Sequence, residues 1–469
     1  MKAALLRSSR TLNRKAVLFL DFSQFEKETN DNHSKNQDNQ FSTAVSMFTV
    51  GGMIGSFSTT FMVTKFGRKG AQFVNCFASF IGAAFYVASF YLSSHYCLLL
   101  ARLAVGFFAG LSTGICPMYV IEISTADFRG KAGVLPQLFI TIGILTAQIL
   151  SFPSILGKAS LWGWFMALGS IPCIIWILYS PKMVESPRYT LIEKNNSEQA
   201  QEDLRKLRGV EDVSAELAEL EDEAAKLKAE QSEDDDGMTV MELFKDPSLR
   251  WQLLIVCVAQ MGQQLSGINA IFFYTNDIFK AAGFSTETST MISALVGLEN
   301  VAMTFVSLAV IEKFGRTGLH VGGNILMVIF CAGMFLCLKY LTAASFVPYL
   351  SIVCILGYIV GFAVGPGPVP WIWNSEYFPQ RARGPAGSVS CALNWTAAFL
   401  VGKFFPIAQS AIGEWVFIFF CAVSAFLAVF LWKFAPETKG KSFAEINAEF
   451  AKMNGMEVQE TEMLKSDEK

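Results

Sequence analysis

The primary amides that stand inside otherwise apolar stretches of this chain include Gln137, Gln263, Gln264, Asn269 and Asn300. Each both donates and accepts hydrogen bonds, so a group of them replaces the water around a neutral, hydroxyl-covered solute. The competing role is adhesion between helices, because an amide in an apolar layer needs a partner of some kind. Gln263, Gln264 and Asn269 share one stretch and cover a broad arc of a helix. Trp371 follows Pro366, Pro368 and Pro370. Proline removes donors and breaks the helical ladder, so the chain is expected to bend beside that indole. Glu299 is the one acidic residue well inside an apolar stretch. It adjoins Asn300 but points about 100° away on a helix, and a carboxylate at that depth is a candidate for proton coupling.

A second constellation is charged. Arg68, Glu122, Arg129, Glu185, Arg188, Arg316, Glu376 and Arg383 all flank apolar stretches. An excess of cationic residues on the inner side of a membrane accounts for the arginines. It does not account for the glutamates that accompany them, which point to ion pairing at an inner gate.

The elements that position these residues follow from composition. Apolar residues make up 52% of the 469 and charged residues only 16%, against roughly 25% charged in soluble proteins. Most of the charges lie in 1–40, 181–250 and 435–469. The rest of the chain is too poor in charge to face water, so the protein is read as an all-α polytopic membrane protein. The net charge of −3 gives no basic footprint for nucleic acid. Ten cysteines lie in or beside apolar segments without a CxxC pair, and three histidines make no metal site. No cofactor is expected, and no enzyme activity.

A bilayer core of about 30 Å takes about 20 apolar residues per helix. Eleven stretches qualify: 41–64, 71–92, 96–121, 133–153, 160–180, 250–273, 289–311, 319–340, 347–372, 386–407 and 413–434. Lys and Arg concentrate in the loops at 65–70, 122–131, 312–316 and 376–383, which places those loops, the 181–249 segment and the 435–469 tail on the cytoplasmic side. The chain is divided into a polar segment at 1–40, a five-span bundle at 41–180, a cytoplasmic linker with short helices at 181–249, a six-span bundle at 250–434 and the tail. The EDDD run at 233–236 reads as solvated loop.

Three motifs recur in order. TKFGRKG at 64–70 returns as EKFGRTG at 312–318. Glu122 with Arg129-Gly130 returns as Glu376 with Arg383-Gly384, and Glu185 with Arg188 returns as Glu437 with Lys439. The offsets are 248, 254 and 252 residues, which implies two homologous six-helix halves with a site between them. The partner of 250–273 would then fall near residues 1–22. That stretch carries Lys2, Arg7, Arg10, Arg14 and Lys15, and its only apolar run is Ala16–Leu20. Five helical residues cover about 7.5 Å, so a first transmembrane helix is expected to be absent.

QQLSGINA at 263–270, GPGPVPW at 365–371, ESPR at 185–188, NWT at 394–396 and PETKG at 436–440 resemble the sugar-porter branch of the major facilitator superfamily, in particular the animal facilitative hexose transporters. The resemblance covers about 41–450. It implies a substrate site of Gln137, Gln263, Gln264, Asn269, Asn300, Trp371 and Trp395. It also implies a cytoplasmic gate of Arg68, Glu122, Arg129, Glu185, Arg188, Arg316, Glu376 and Arg383, latching the halves together in the outward-open state. The expected function is facilitative uniport of a hexose, glucose or fructose, by alternating access at the plasma membrane, with a sugar and the bilayer as partners. A proton-coupled symporter using Glu299, and a non-transporting truncated isoform or nutrient sensor, are the alternatives. Ala363, Ala398 and Gln260-Met261-Gly262 depart from the pattern of glucose-selective members. Asn32-His33-Ser34 is a glycosylation sequon.

Overall fold

The computed structural model describes residues 31–125, 128–152, 154–158, 160–230, 238–272, 279 and 284–456. The expected loss of a first helix and the EDDD run lie outside the described residues. Helix α1 (Asp31–Phe57) and helix α2 (Thr59–Leu92) carry the first two expected spans. The first expected span is one run over 41–64, whereas its helix already begins at Asp31 and is interrupted at Ser58. The hydroxyl of Ser58 donates to Ile54 O at 2.8 Å and that of Thr59 to Gly55 O at 3.4 Å, a back-bonding that bends helices. Within α2, Gly67 takes φ 74° and separates the two spans.

Helices α3 (His95–Ile123) and α4 (Arg129–Leu150) follow. The next span is split into α5 (Trp162–Ala167) and α6 (Ile171–Tyr179) by a 3-10 turn at Leu168–Ser170. Pro172 at the start of α6 has no N–H to continue the ladder. In the linker, α7 (Ser197–Arg208) is capped by Asn196, which accepts from Gln199 N at 3.0 Å, and ends at Gly209 with φ 68°. Helix α8 (Ser214–Glu230) packs Leu220 and Ala224 against Leu191, Ala200 and Leu204. Arg208 donates to Ile123 O at 2.9 Å, which fastens the linker to the inner end of α3. After the short α9 (Val240–Lys245) come α10 (Arg250–Leu265), α11 (Thr286–Phe314), α12 (Arg316–Lys339) and α13 (Val347–Val364). Helices α14 (Val369–Glu376), α15 (Gln380–Ile412), α16 (Val416–Phe434) and α17 (Phe443–Met453) complete the chain.

Among the described residues, nine helical stretches are long and apolar enough to cross a membrane. One of them, Arg381–Phe434, holds both α15 and α16, and Thr43–Phe57 is a shorter apolar helix. Dividing that stretch and adding α1 accounts for the expected spans. Apolar side chains such as Leu178, Val429 and Trp432 project outward at 64–75% exposure, as a lipid-facing surface requires.

The two halves meet along two seams. Helix α1 packs on α15, and α4 packs on α11. Helix α1 also lies directly on α3. A Cβ at Gly106 or Gly110 would fall 2.0 Å from the carbonyl oxygens of Phe48 or Gly52, so only glycine admits this backbone contact.

Candidate functional site

The repeated motifs fold into repeated chemistry. Gly67 and Gly315 both hold positive φ, 74° and 81°. A Cβ at either would lie 2.4 Å from a carboxylate oxygen of Glu185 or Glu437. The turn that follows presents backbone N–H groups to that carboxylate. Arg68 N and Lys69 N donate to Glu185 at 3.0 and 3.1 Å, and Arg316 N and Thr317 N donate to Glu437 at 2.8 and 3.0 Å. Each guanidinium then reaches the inner end of a further helix. Arg68 is bidentate on Glu122 at 2.8 and 2.9 Å and also holds Glu193 at 2.5 Å. Arg316 meets Glu376 at 2.9 Å and Glu312 at 3.1 Å. Thr438 Oγ1 donates to the other Glu376 oxygen at 2.5 Å.

Sequence reading expected these charges to latch one half to the other. Arg68 and Arg316 instead spend their guanidinium groups within their own halves, because each follows a glycine turn clamped by a glutamate of the same repeat. Arg383 donates to Phe378 O at 2.9 Å and lies over the Phe443 ring at 5.9 Å. Arg188 stands at the N-cap position of the π-helical turn Tyr189–Glu193. Arg129 opens α4, and its side chain lies outside the described residues, as does that of Asn32 in the first turn of α1. Glu193, absent from the sequence reading, is pushed above the usual carboxylate range by burial, with Arg68 opposing. Uncharged groups also bond across between the halves. Thr60 and Ser388 hydroxyls meet at 2.8 Å, and Trp395 Nε1 donates to Thr113 Oγ1 at 3.4 Å.

The amides gather around the broken segment between α13 and α14. Gln263, 4% exposed, donates to Pro366 O at 2.9 Å and Gly367 O at 2.7 Å. Pro370 has no N–H to return to Pro366 O, and the Gln263 amide supplies that carbonyl with a partner. Asn269 donates to Gln264 Oε1 at 2.5 Å, and Gln264 donates to Asn394 Oδ1 at 3.1 Å. Asn394 in turn donates to Gln263 Oε1 and Gln260 Oε1, both at 2.9 Å. Gln263, Gln264, Asn269, Gln260 and Asn394 thus form one network joining α10 to α15.

Sequence reasoning did not assign Gln260 or Asn394 to the site. The NWT motif contains Asn394, and Gln260 lies one helical turn before Gln263. Gln137 on α4 is buried, and its Nε2 would lie 3.5 Å from a Cβ at Gly367. Asn300 is 2% exposed with no partner for Oδ1. Glu299 Oε2 likewise has none, and this carboxyl stands to one side of the buried face that carries Asn300. Trp395 packs edge-on to Phe48 at 5.4 Å, in the seam between halves.

Trp371, 9% exposed, lines a small cavity of about 60 Å³ at the inner ends of α3, α14 and α15. Glu122 and Arg383 line the same cavity from opposite halves.

Two bundles of membrane-spanning helices, a broken helix bearing an amide network and paired inner charge clusters define a transporter of the major facilitator kind. The family model described as "Sugar (and other) transporter" matches residues 14–450, and the chain belongs to that family. The human solute carrier family 2, facilitated glucose transporter member 5 is 39% identical over 416 residues, covering 88% of this chain and 82% of the relative. Mouse member 7 is 39% identical over 422 residues, covering 90% and 81%. Among solved structures, the proton:xylose symporter XylE bound to 6-bromo-6-deoxy-D-glucose superposes with a TM-score of 0.77 at 22% identity, covering 94% of each chain. The inward-open xylose transporter XylE from E. coli gives 0.67, also at 22%, covering 94% and 99%. The chain is a multi-pass membrane sugar transporter of the solute carrier family 2 type.

Proposed function

We infer that this protein is a facilitative hexose carrier of the plasma membrane, working by alternating access without coupling to protons. The observation that carries the reading is the amide network tied to the broken helix. Hydroxyl-recognising groups are bonded directly to the segment that must move if one half rocks against the other. A sugar that displaces Gln264 or Asn269 from these bonds exchanges one amide partner for another while loosening the hold on α15.

The absence of charge in that network suits a neutral substrate. Glu299, the carboxyl that a symporter reading needs, stands off the amide-bearing face of α11. Ala363, Ala398 and Gln260-Met261-Gly262 depart from the glucose-selective pattern, so glucose and fructose are both assigned as substrates to compare.

Counterflow in liposomes tests the carrier reading. Vesicles preloaded with unlabelled D-glucose or D-fructose should transiently accumulate the labelled sugar. L-glucose should give no such overshoot. Equal behaviour of D- and L-sugars would defeat it.

A further inference from the structure

Helix α2 and the split span α5–α6 run antiparallel, and small side chains let their backbones approach. A Cβ at Gly163 on α5 would fall 3.2 Å from Tyr86 O on α2. Seven residues further along the split span, and seven back along α2, the Ser170 and Ser79 hydroxyls meet at 3.0 Å. Ser170 Oγ also donates to Ser79 O at 3.1 Å. The register is therefore constant over about two turns. Three residues more in each direction place Cys173 on α6 opposite Cys76 on α2. Cys76 is 0% and Cys173 2% exposed. Both are free thiols, and they interact directly. Cys116 on α3 interacts with both and is itself half-buried, so the pair stands one thiol away from the molecular surface. A serine hydroxyl that touches the facing helix's carbonyl requires close backbones, and a disulfide one turn on requires the same.

We propose that Cys76 and Cys173 are a dithiol modification site, which a small neutral peroxide closes to a disulfide that staples the N-terminal half. Cys76 lies eight residues beyond Arg68 on α2, about 12 Å into the bilayer from the inner charge cluster, where charged or bulky oxidants do not reach. One sulfur attacks a peroxide oxygen and the O–O bond breaks. The thiol proton leaves with the departing hydroxide as water, and a sulfenic acid remains. The other sulfur attacks the sulfenic sulfur, the S–O bond breaks, and hydroxide leaves with the second thiol proton as water. Two electrons pass from the sulfurs to the peroxide. The new bond ties α2 to α6 inside one half and crosses neither seam, so it stiffens the fold without blocking movement of one half against the other.

The test treats the purified full-length chain in lipid nanodiscs with hydrogen peroxide, alkylates the remaining thiols and maps the unreduced digest by mass spectrometry. The expected product is one peptide pair joined through Cys76 and Cys173 and released by dithiothreitol. Oxidised protein should melt several degrees above reduced protein, because the cross-link restricts the unfolded chain. That increment should vanish in Cys173→Ser and persist in Cys97→Ser, whose thiol lies at the outer end of α3. The cross-link is read on the wild type alone, so a variant that fails to fold leaves it decisive.

Cys76 and Cys173 recovered as alkylated thiols after peroxide, while Cys116 is oxidised, would overturn the proposal. Their recovery as sulfinic or sulfonic acids, or joined to Cys116 instead of to each other, also overturns it. A Cys76–Cys173 bond that leaves the melting temperature unchanged or lowers it overturns the stapling role.

Discussion

Gln263 and Gln264 are adjacent in the chain and do different work. Gln263 gives both amide hydrogens to the carbonyls of Pro366 and Gly367, so its loss leaves buried acceptors unmade. Gln264 and Asn269, half-buried and bonded to each other, are free to trade that bond for a sugar hydroxyl. Gln264→Ala and Asn269→Ala should each weaken hexose binding by about 1–3 kcal/mol, roughly 5- to 150-fold, with little change in melting temperature. Gln263→Ala should show the reverse emphasis, a lowered melting temperature accompanying any loss of affinity. Melting and equilibrium binding on the same samples distinguish the two.

The charge clusters make a prediction at the same scale. Arg68 is 4% exposed and neutralises two carboxylates. Arg68→Ala should destabilise the protein by about 3–5 kcal/mol, the penalty for leaving a buried charge unpaired. Glu193 adds a pH dependence, because burial raises its folded-state pKa. A carboxyl with a raised folded value favours folding most when protonated. Its contribution is full at low pH and is lost as pH rises through the raised value. The stability of wild type relative to Glu193→Gln should therefore increase as pH falls through the window just above the ordinary glutamate range. A difference independent of pH would contradict this.

At the scale of elements, the broken segment between α13 and α14 and the two seams decide what moves. Ser307 on α11 donates to Val364 O at 2.8 Å, holding the last turn of α13 just before the break. Beside the seam between α1 and α15, the start of α2 meets α15 through the Thr60–Ser388 hydroxyl pair at 2.8 Å. One such bond is worth about 0.5–1.5 kcal/mol net, so Ser388→Ala should shift the population of inner-closed molecules by roughly 2- to 12-fold. The readout is thiol labelling from the cytoplasmic side at a cysteine placed in the inner seam, and an unchanged rate would show that this bond does not contribute to closure. Glycine turns at 67 and 315 should be intolerant. Gly67→Ala and Gly315→Ala each force a Cβ to 2.4 Å from a clamping carboxylate, and both should lower the melting temperature.

At the scale of the whole molecule, the duplication was legible because its markers are short and lie at helix ends. Gly67-Arg68 with Glu122 and Glu185, and Gly315-Arg316 with Glu376 and Glu437, repeat residue by residue in sequence and in bonding. The spans were legible for the same reason that lipid demands them, a run of apolar residues between charged loops. The interruption at Ser58 and the split before Pro172 are local effects of single side chains, and hydropathy averages them away. The partners of the gate arginines were not legible. Charge type shows that an arginine needs a carboxylate, but whether that carboxylate belongs to its own half depends on how the helices are arranged. The amide network was legible only in part. Which of two neighbouring glutamines props the break depends on the rotation of α10 against α15, and Asn394 joins the site by that register rather than by its own sequence context. The inner cavity is a property of three helix ends together and leaves no mark in any one of them.

The central claim is passive hexose transport, and the level to which sugar accumulates tests it most directly. Purified protein in liposomes is given labelled D-glucose or D-fructose outside, with and without an acid-outside pH gradient. The account predicts that internal sugar rises to the external concentration and stops there under both conditions, in wild type and in Glu299→Gln alike. Accumulation above the external concentration that depends on the pH gradient and disappears in Glu299→Gln would contradict it.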